Sequence, residues 1–126
     1  MTTLDHLAIF VADVERSASF YEQAFGFERI PEPFADGLHI WLAIGPHTSL
    51  HIVGNAAGAK EHEISHHTAF RSDDLDAVME RLDAMGVPYR NFRGDGKINA
   101  RRDGVRQIYL QDPDNYWIEV NDARVD

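Results

Sequence analysis

Four side chains in this sequence are of the types that hold a divalent metal ion in a chain without cysteine: His6, His51, His67 and Glu119. Imidazole nitrogens mixed with a carboxylate suit borderline and hard first-row ions. Four protein ligands on an octahedral ion leave two positions for water or substrate, as a catalytic site requires. Any metal must be held by His, Asp or Glu, because the sequence contains no cysteine for a thiolate site, a nucleophile or a disulfide. A lone strand histidine is ordinarily a satisfied or half-exposed polar residue, so the case rests on whether these four share a face. His51 could instead be a hydrogen-bonding residue of the same surface.

Other groups bear on substrate. Lys97, Arg101, Arg102 and Arg106 form a basic cluster in an acidic chain. It is either a solvated loop or the means of capturing a carboxylate, phosphonate or phosphate. Trp41, Phe10, Tyr109 and Trp117 could wall an apolar pocket or be ordinary packing. His39 reads as a structural or substrate-contact residue, His66 points away from His67, and His47 and His62 fall in loops. The segment Asp112-Pro113-Asp114-Asn115 is most simply a turn.

The elements that position these residues follow from periodicity. Residues 4–11 alternate as a strand, Asp13 caps a helix over 14–25, and Gly26 stops it. Strands follow over 27–30, 38–44 and 48–53, with a Gly- and Ala-rich linker over 54–60. The second half repeats the plan. A strand over 65–72 leads to a helix capped by Asp73 or Asp74 and running to Met85. Gly86 stops it, and strands follow over 87–92, 105–110 and 116–121. Residues 93–103 read as a polar exposed arm.

The two halves superpose. Setting His6 on His67 brings Ala8 onto Ala69, Asp13 onto Asp74 and Val14 onto Leu75. One deletion then brings Phe25 onto Met85 and Gly26 onto Gly86, and Leu50-His51-Ile52 falls on Ile118-Glu119-Val120. Both halves are therefore β-α-β-β-β. The predicted class is α+β: two paired βαβββ modules, about 1–56 and 62–122, in a single domain over 1–126, forming a cupped sheet around a metal cleft. Period two puts His6, His51, His67 and Glu119 on the cleft side with Trp41, Phe10, Gln107, Tyr109 and Trp117. Leu7, Ile9, Leu50, Ile52, Phe70, Ile118 and Val120 fall on the helix side.

Composition excludes other classes. Twelve basic against twenty-one acidic residues give a net charge of −9, which disfavours nucleic acid and anionic membranes as partners. No apolar run approaches a membrane span and the start lacks a signal pattern, so the expectation is a soluble cytoplasmic protein.

These residues resemble the vicinal oxygen chelate superfamily, which includes glyoxalase I, fosfomycin-resistance enzymes, methylmalonyl-CoA epimerase, bleomycin-resistance proteins and extradiol dioxygenases. The resemblance is carried by Leu4-Asp5-His6-Leu7-Ala8, Ser17-Ala18-Ser19-Phe20-Tyr21 with Phe25-Gly26-Phe27, His67-Thr68-Ala69-Phe70, and Asp112-Pro113-Asp114-Asn115-Tyr116-Trp117-Ile118-Glu119. It implies a cleft metal (Ni, Zn, Mn, Co or Fe) with His6, His67 and Glu119 at ligand positions, Glu119 or a metal-bound water moving the proton, and a homodimer. His51 stands where glyoxalase I has a glutamate. Without it the set becomes two His and one Glu, the pattern of fosfomycin-resistance enzymes and iron ring-cleaving dioxygenases. The implied function is a lyase, isomerase or thiol transferase acting on a small oxygenated substrate, anionic or a thiol adduct. The alternatives are an iron-dependent catechol dioxygenase and a non-catalytic sequestering protein of the bleomycin-resistance kind. Trp41, Tyr109, Trp117, Lys97, Arg101 and Arg102 are the expected substrate contacts.

Overall fold

A computed structural model describes residues 1–125. The chain divides into two compact units, Met1–Lys60 and Glu61–Asp126. The first contains β1 (His6–Phe10), α1 (Val14–Phe25), β2 (Glu28–Ile30), β3 (His39–Ala43) and β4 (Ser49–Val53). The second contains β5 (His67–Arg71), α2 (Leu75–Met85), β6 (Tyr89–Arg90), β7 (Asn99–Ala100), β8 (Arg106–Gln111) and β9 (Trp117–Asn121). The βαβββ plan holds in both units, the second adding the short β7.

The sheets have corresponding orders, β1-β4-β3-β2 and β5-β9-β8-β6, with β7 also paired to β8. In each, the module's first strand lies parallel to its last and the remaining pairs are antiparallel. The register confirms the repeat: Ala8 pairs with His51 and Ala69 with Glu119. Across the next strand Trp41 pairs with His51 and Tyr109 with Glu119.

Local chemistry sets the helix ends. The Asp13 carboxylate accepts from the N–H groups of Glu15 and Arg16 at 3.0 and 3.1 Å, and Asp74 accepts from Ala77 at 3.0 Å. Each such cap contributes about 1 kcal/mol. Gly26 and Gly86 take φ of 73° and 70°, where a Cβ would crowd the backbone. The faces sort as period two requires. Leu42, Leu50 and Ile52 are buried in the first unit beneath Ala18, Tyr21 and Ala24, and Ile108, Leu110, Ile118 and Val120 in the second with Leu75, Val78 and Leu82.

The stretch 87–92 is not one strand, since only Tyr89–Arg90 pairs with β8. Pro88 has no N–H to give a ladder. Asn91 then turns the chain: its side-chain Oδ1 accepts from the Gly94 and Asp95 N–H groups at 2.7 and 3.1 Å, and its backbone N–H donates to the Gly96 carbonyl at 2.7 Å. Nor is the 93–103 arm wholly irregular, because Asn99–Ala100 pairs with Gln107 and Arg106. Among the described residues no helix is long and apolar enough to cross a membrane.

Ile52 is fully buried in the centre of the first sheet. Ile52→Ala is expected to cost about 2–5 kcal/mol in urea unfolding, the range for a deleted core side chain. A cost below about 0.5 kcal/mol, typical of surface changes, would contradict this assignment of the core.

Candidate metal centre

In the second unit, β5 and β9 bring His67 and Glu119 together. The register places them diagonally on one face, with Ala69 directly beside Glu119. His67 Nε2 lies 3.3 Å from Glu119 Oε1, and its Nδ1 lies 2.8 Å from the Ile64 carbonyl oxygen. A carbonyl only accepts, so Nδ1 carries the proton and Nε2 of the neutral ring presents a lone pair.

Glu119 is buried yet polar on every side. Its Oε1 accepts from the Tyr109 hydroxyl at 2.7 Å and its Oε2 from the Asn121 amide at 2.6 Å. Burial by itself pushes the carboxyl up. The hydrogen bonds from Asn121, Tyr109 and Gln107, with the His67 ring nearby, outweigh it and leave Glu119 below its ordinary value. Tyr109 moves the opposite way: burial and the adjacent carboxylate hold its hydroxyl far above the usual phenol range. An ionised carboxylate therefore faces Nε2 of an imidazole. A nitrogen and a carboxylate oxygen this close share either a proton or a cation, and an N and O donor set of this kind suits a divalent ion.

The first unit builds its pair differently. His6 Nδ1 donates to Asp5 Oδ2 at 2.7 Å, which leaves Nε2 as the outward donor atom. Its ring stacks on His51 with centroids 3.9 Å apart, and His51 stacks on Trp41 at 3.8 Å and 2°. His51 Nε2 is 2.9 Å from the Ser49 hydroxyl. Burial, followed by the His6 charge, lowers the His51 pKa, and so the ring is held neutral. Beside this stack His39 bonds Asp36 at 2.9 Å and lies against Phe34.

Ligand-type residues thus gather in pairs within each unit. Among the described residues no group of three or more His, Asp or Glu is arranged to hold a metal. Of the residues expected to touch substrate, Tyr109 and Trp117 line a cavity of about 160 Å³ in the second unit, while Trp41 closes the stack in the first. Lys97 sits over the Tyr89 ring. Arg101 pairs with Asp103 at 2.6 Å, which raises its pKa, and the charge of Glu119 also acts on it. Arg106 is tied to Asp122 and Asp76 at 2.9 and 3.0 Å, and Arg102 is exposed in a turn. The 112–115 segment is a turn, with the Asp112 carboxylate accepting from Asp114 and Tyr116.

Sequence reasoning did not single out Asp5, Ser49, Asn121 or Arg90. Asn121 was within reach, since it follows Glu119 by two positions in the same strand. Arg90 carried no such signal, because the strand around it is only two residues long.

Comparison with known proteins gives a consistent family. The profile of the Glyoxalase/Bleomycin resistance protein/Dioxygenase superfamily matches residues 3–120. Glyoxylase I 4 of Arabidopsis thaliana is 28% identical, over 95% of this chain and 70% of its own. The structure is similar to that of the oxidase ChaP-H2, with a TM-score of 0.80 and 25% identity over 98% and 95% of the two chains. It also shares the fold of a fosfomycin-resistance protein from Listeria monocytogenes in complex with Mn(II) and a dihydroxypropylphosphonic acid. That likeness has a TM-score of 0.78 and 22% identity over 99% and 95%.

Tyr109→Phe removes the hydroxyl that Glu119 accepts and is expected to raise the Glu119 pKa. A hydrogen bond to a charged group is worth about 1.5–3 kcal/mol, and that loss is expected at neutral pH. Glu119 titrates low in the folded protein, so its contribution exists above its unfolded pKa and fades as pH falls through the folded value. The difference between the proteins in urea unfolding should therefore shrink in acid. A difference that stays constant would overturn the linkage.

Proposed function

The chain belongs to the Glyoxalase/Bleomycin resistance protein/Dioxygenase superfamily, and from that premise we propose that it is a metalloenzyme of the glyoxalase type, a lyase or isomerase acting on a small oxygenated substrate. The observation that carries this is the His67–Glu119 pair, with Nε2 3.3 Å from the carboxylate and Nδ1 held by the Ile64 carbonyl. In the second unit His67 Nε2 and Glu119 would hold the ion, and in the first unit His6 Nε2 offers the equivalent donor. When bound, such an ion supplies Lewis acidity to two neighbouring substrate oxygens.

The protein's own groups divide the remaining work. Glu119 is the proton-transfer group: its carboxylate is ionised, and Tyr109 and Asn121 fix both oxygens. Asp5 and the Ile64 carbonyl hold the two imidazoles in the tautomer that leaves Nε2 free. His51 keeps the His6 ring in plane by stacking, and its Nε2 is engaged by Ser49. The reading includes a homodimer, as the family resemblance implies.

A second reading follows from His51. With His51 held in its stack and engaged by Ser49, the alternative is an iron-dependent ring-cleaving dioxygenase, and the likeness to the oxidase ChaP-H2 supports keeping it. Oxygen uptake with catechols, seen with Fe(II) and not with Ni, Zn or Mn, would select this second reading.

Metal analysis and titration separate the ligand roles. Wild-type protein is expected to hold a divalent ion that a chelator removes, with activity lost on removal and restored on addition. His67→Ala and Glu119→Gln should weaken the ion by more than the 10- to 100-fold or so typical of outer-shell changes, and Asp5→Ala should fall inside that range. His51→Ala should keep the same number of ions per chain. Full activity in stringently metal-free protein would sink the reading.

A further inference from the structure

Arg90 lies in the same cross-strand row as Glu119. It pairs with Tyr109, and Tyr109 pairs with Glu119, so all three share one sheet face. Two strand spacings put the ends of this row about 10 Å apart at the backbone. The Arg90 guanidinium carbon sits 4.9 Å above the Trp117 ring. The Gly94 backbone also comes so close that a Cβ there would stand 2.6 Å from Nη1. The group is thus packed against both an aromatic face and a glycine.

Its surroundings lack what an arginine in an acidic protein usually finds. Arg29, Arg101 and Arg106 each bond to a carboxylate. Arg90 has no such partner among the described residues, and its Nε–H is buried with no acceptor. Leaving a charged donor so placed is costly unless something else accepts from it. Beside it is the cavity of about 160 Å³, whose remaining walls include Pro88, Tyr89, Tyr109, Leu110 and Trp117. At about 30 Å³ per water, that space takes one small ring or a short carbon chain.

We propose that Arg90 and this cavity form a subsite for a small organic carboxylate with an apolar body. The planar guanidinium matches a carboxylate through two parallel N–H donors, and the aromatic walls take the carbon. The inference rests on the proposed function only in making this ligand part of the substrate, an oxygenated carboxylate lying along the row from Arg90 toward Glu119. Anion binding itself does not depend on the metal.

The probe is benzoate, with benzamide as its neutral isostere. Isotope-labelled full-length protein is titrated as purified and again after chelator, and the Arg90 Nε–H and Trp117 indole N–H resonances are followed. Benzoate is expected to shift both resonances in both preparations and to bind at least about tenfold more tightly than benzamide. Arg90→Gln should weaken benzoate about tenfold or more and leave benzamide unchanged. Gly94→Ala, which pushes the guanidinium aside, should weaken benzoate in the same direction. Equal binding of the two probes, or benzoate binding by Arg90→Gln at wild-type strength, would overturn the subsite. If Arg90→Gln does not fold, the probe comparison and the Arg90 resonance in the wild type decide alone. Retention of benzoate binding by Glu119→Gln, whatever happens to its metal, keeps failure of the metal reading distinct from failure of the subsite.

Discussion

Each module depends on its first strand lying parallel to its last. A parallel pair cannot close through a hairpin, and the helix and two strands between β1 and β4, or β5 and β9, supply the connection it needs. The pairing fixes a diagonal. His6 falls opposite Ser49 and Ala8 opposite His51; His67 falls opposite Trp117 and Ala69 opposite Glu119. The alanine next to each ligand-type residue has too little bulk to fill the face, so the imidazole two positions back can lean across it. The repeated alanine thus has a physical role: it keeps the diagonal open.

The two diagonals are then used in different ways. Glu119 is surrounded by donors from β8 and β9, and the carboxylate stays ionised although it is buried. At the equivalent place His51 is neutral and flat, held between His6 and Trp41. The change from Glu to His is matched across the next strand by the change from Tyr to Trp. A hydrogen-bond donor serves a carboxylate, and a broad ring serves another ring. The substitutions within each sheet are coupled by contact, and the result is one polar half with strong charge and one aromatic half with little.

Much of this was legible in the sequence, and for identifiable reasons. Period two sorts residues correctly wherever a strand is long enough to alternate, as in β1, β3, β4, β8 and β9. Asp caps and Gly stops have strict backbone requirements, so Asp13, Gly26 and Gly86 were read directly; between Asp73 and Asp74 the structure selects the latter. The Val87–Phe92 stretch misled because apolar composition favours a strand, whereas Pro88 and the Asn91 turn leave room for two paired residues. Ring stacking and tautomer choice depend on contacts between strands, which no single strand encodes. The basic cluster was visible as charge, but which cations are already neutralised is a property of the folded chain.

That last distinction governs how an acidic protein can accept an acidic ligand. An ionised Glu119 repels an incoming carboxylate, and the overall charge of −9 adds to the effect. Arg101 stands close enough to feel Glu119, but Asp103 faces it and cancels much of its field. Arg90 has no such partner among the described residues. Over about 10 Å at an effective dielectric near 20, one unit charge acts on another with about 2 kcal/mol, enough to offset the repulsion from a single carboxylate. The contacts with Trp117 and Gly94 bear on the same point: they seat the guanidinium against an indole and a glycine, neither of which neutralises it. The seat of one arginine, more than the number of basic residues, is what leaves a positive charge available in the row of Glu119.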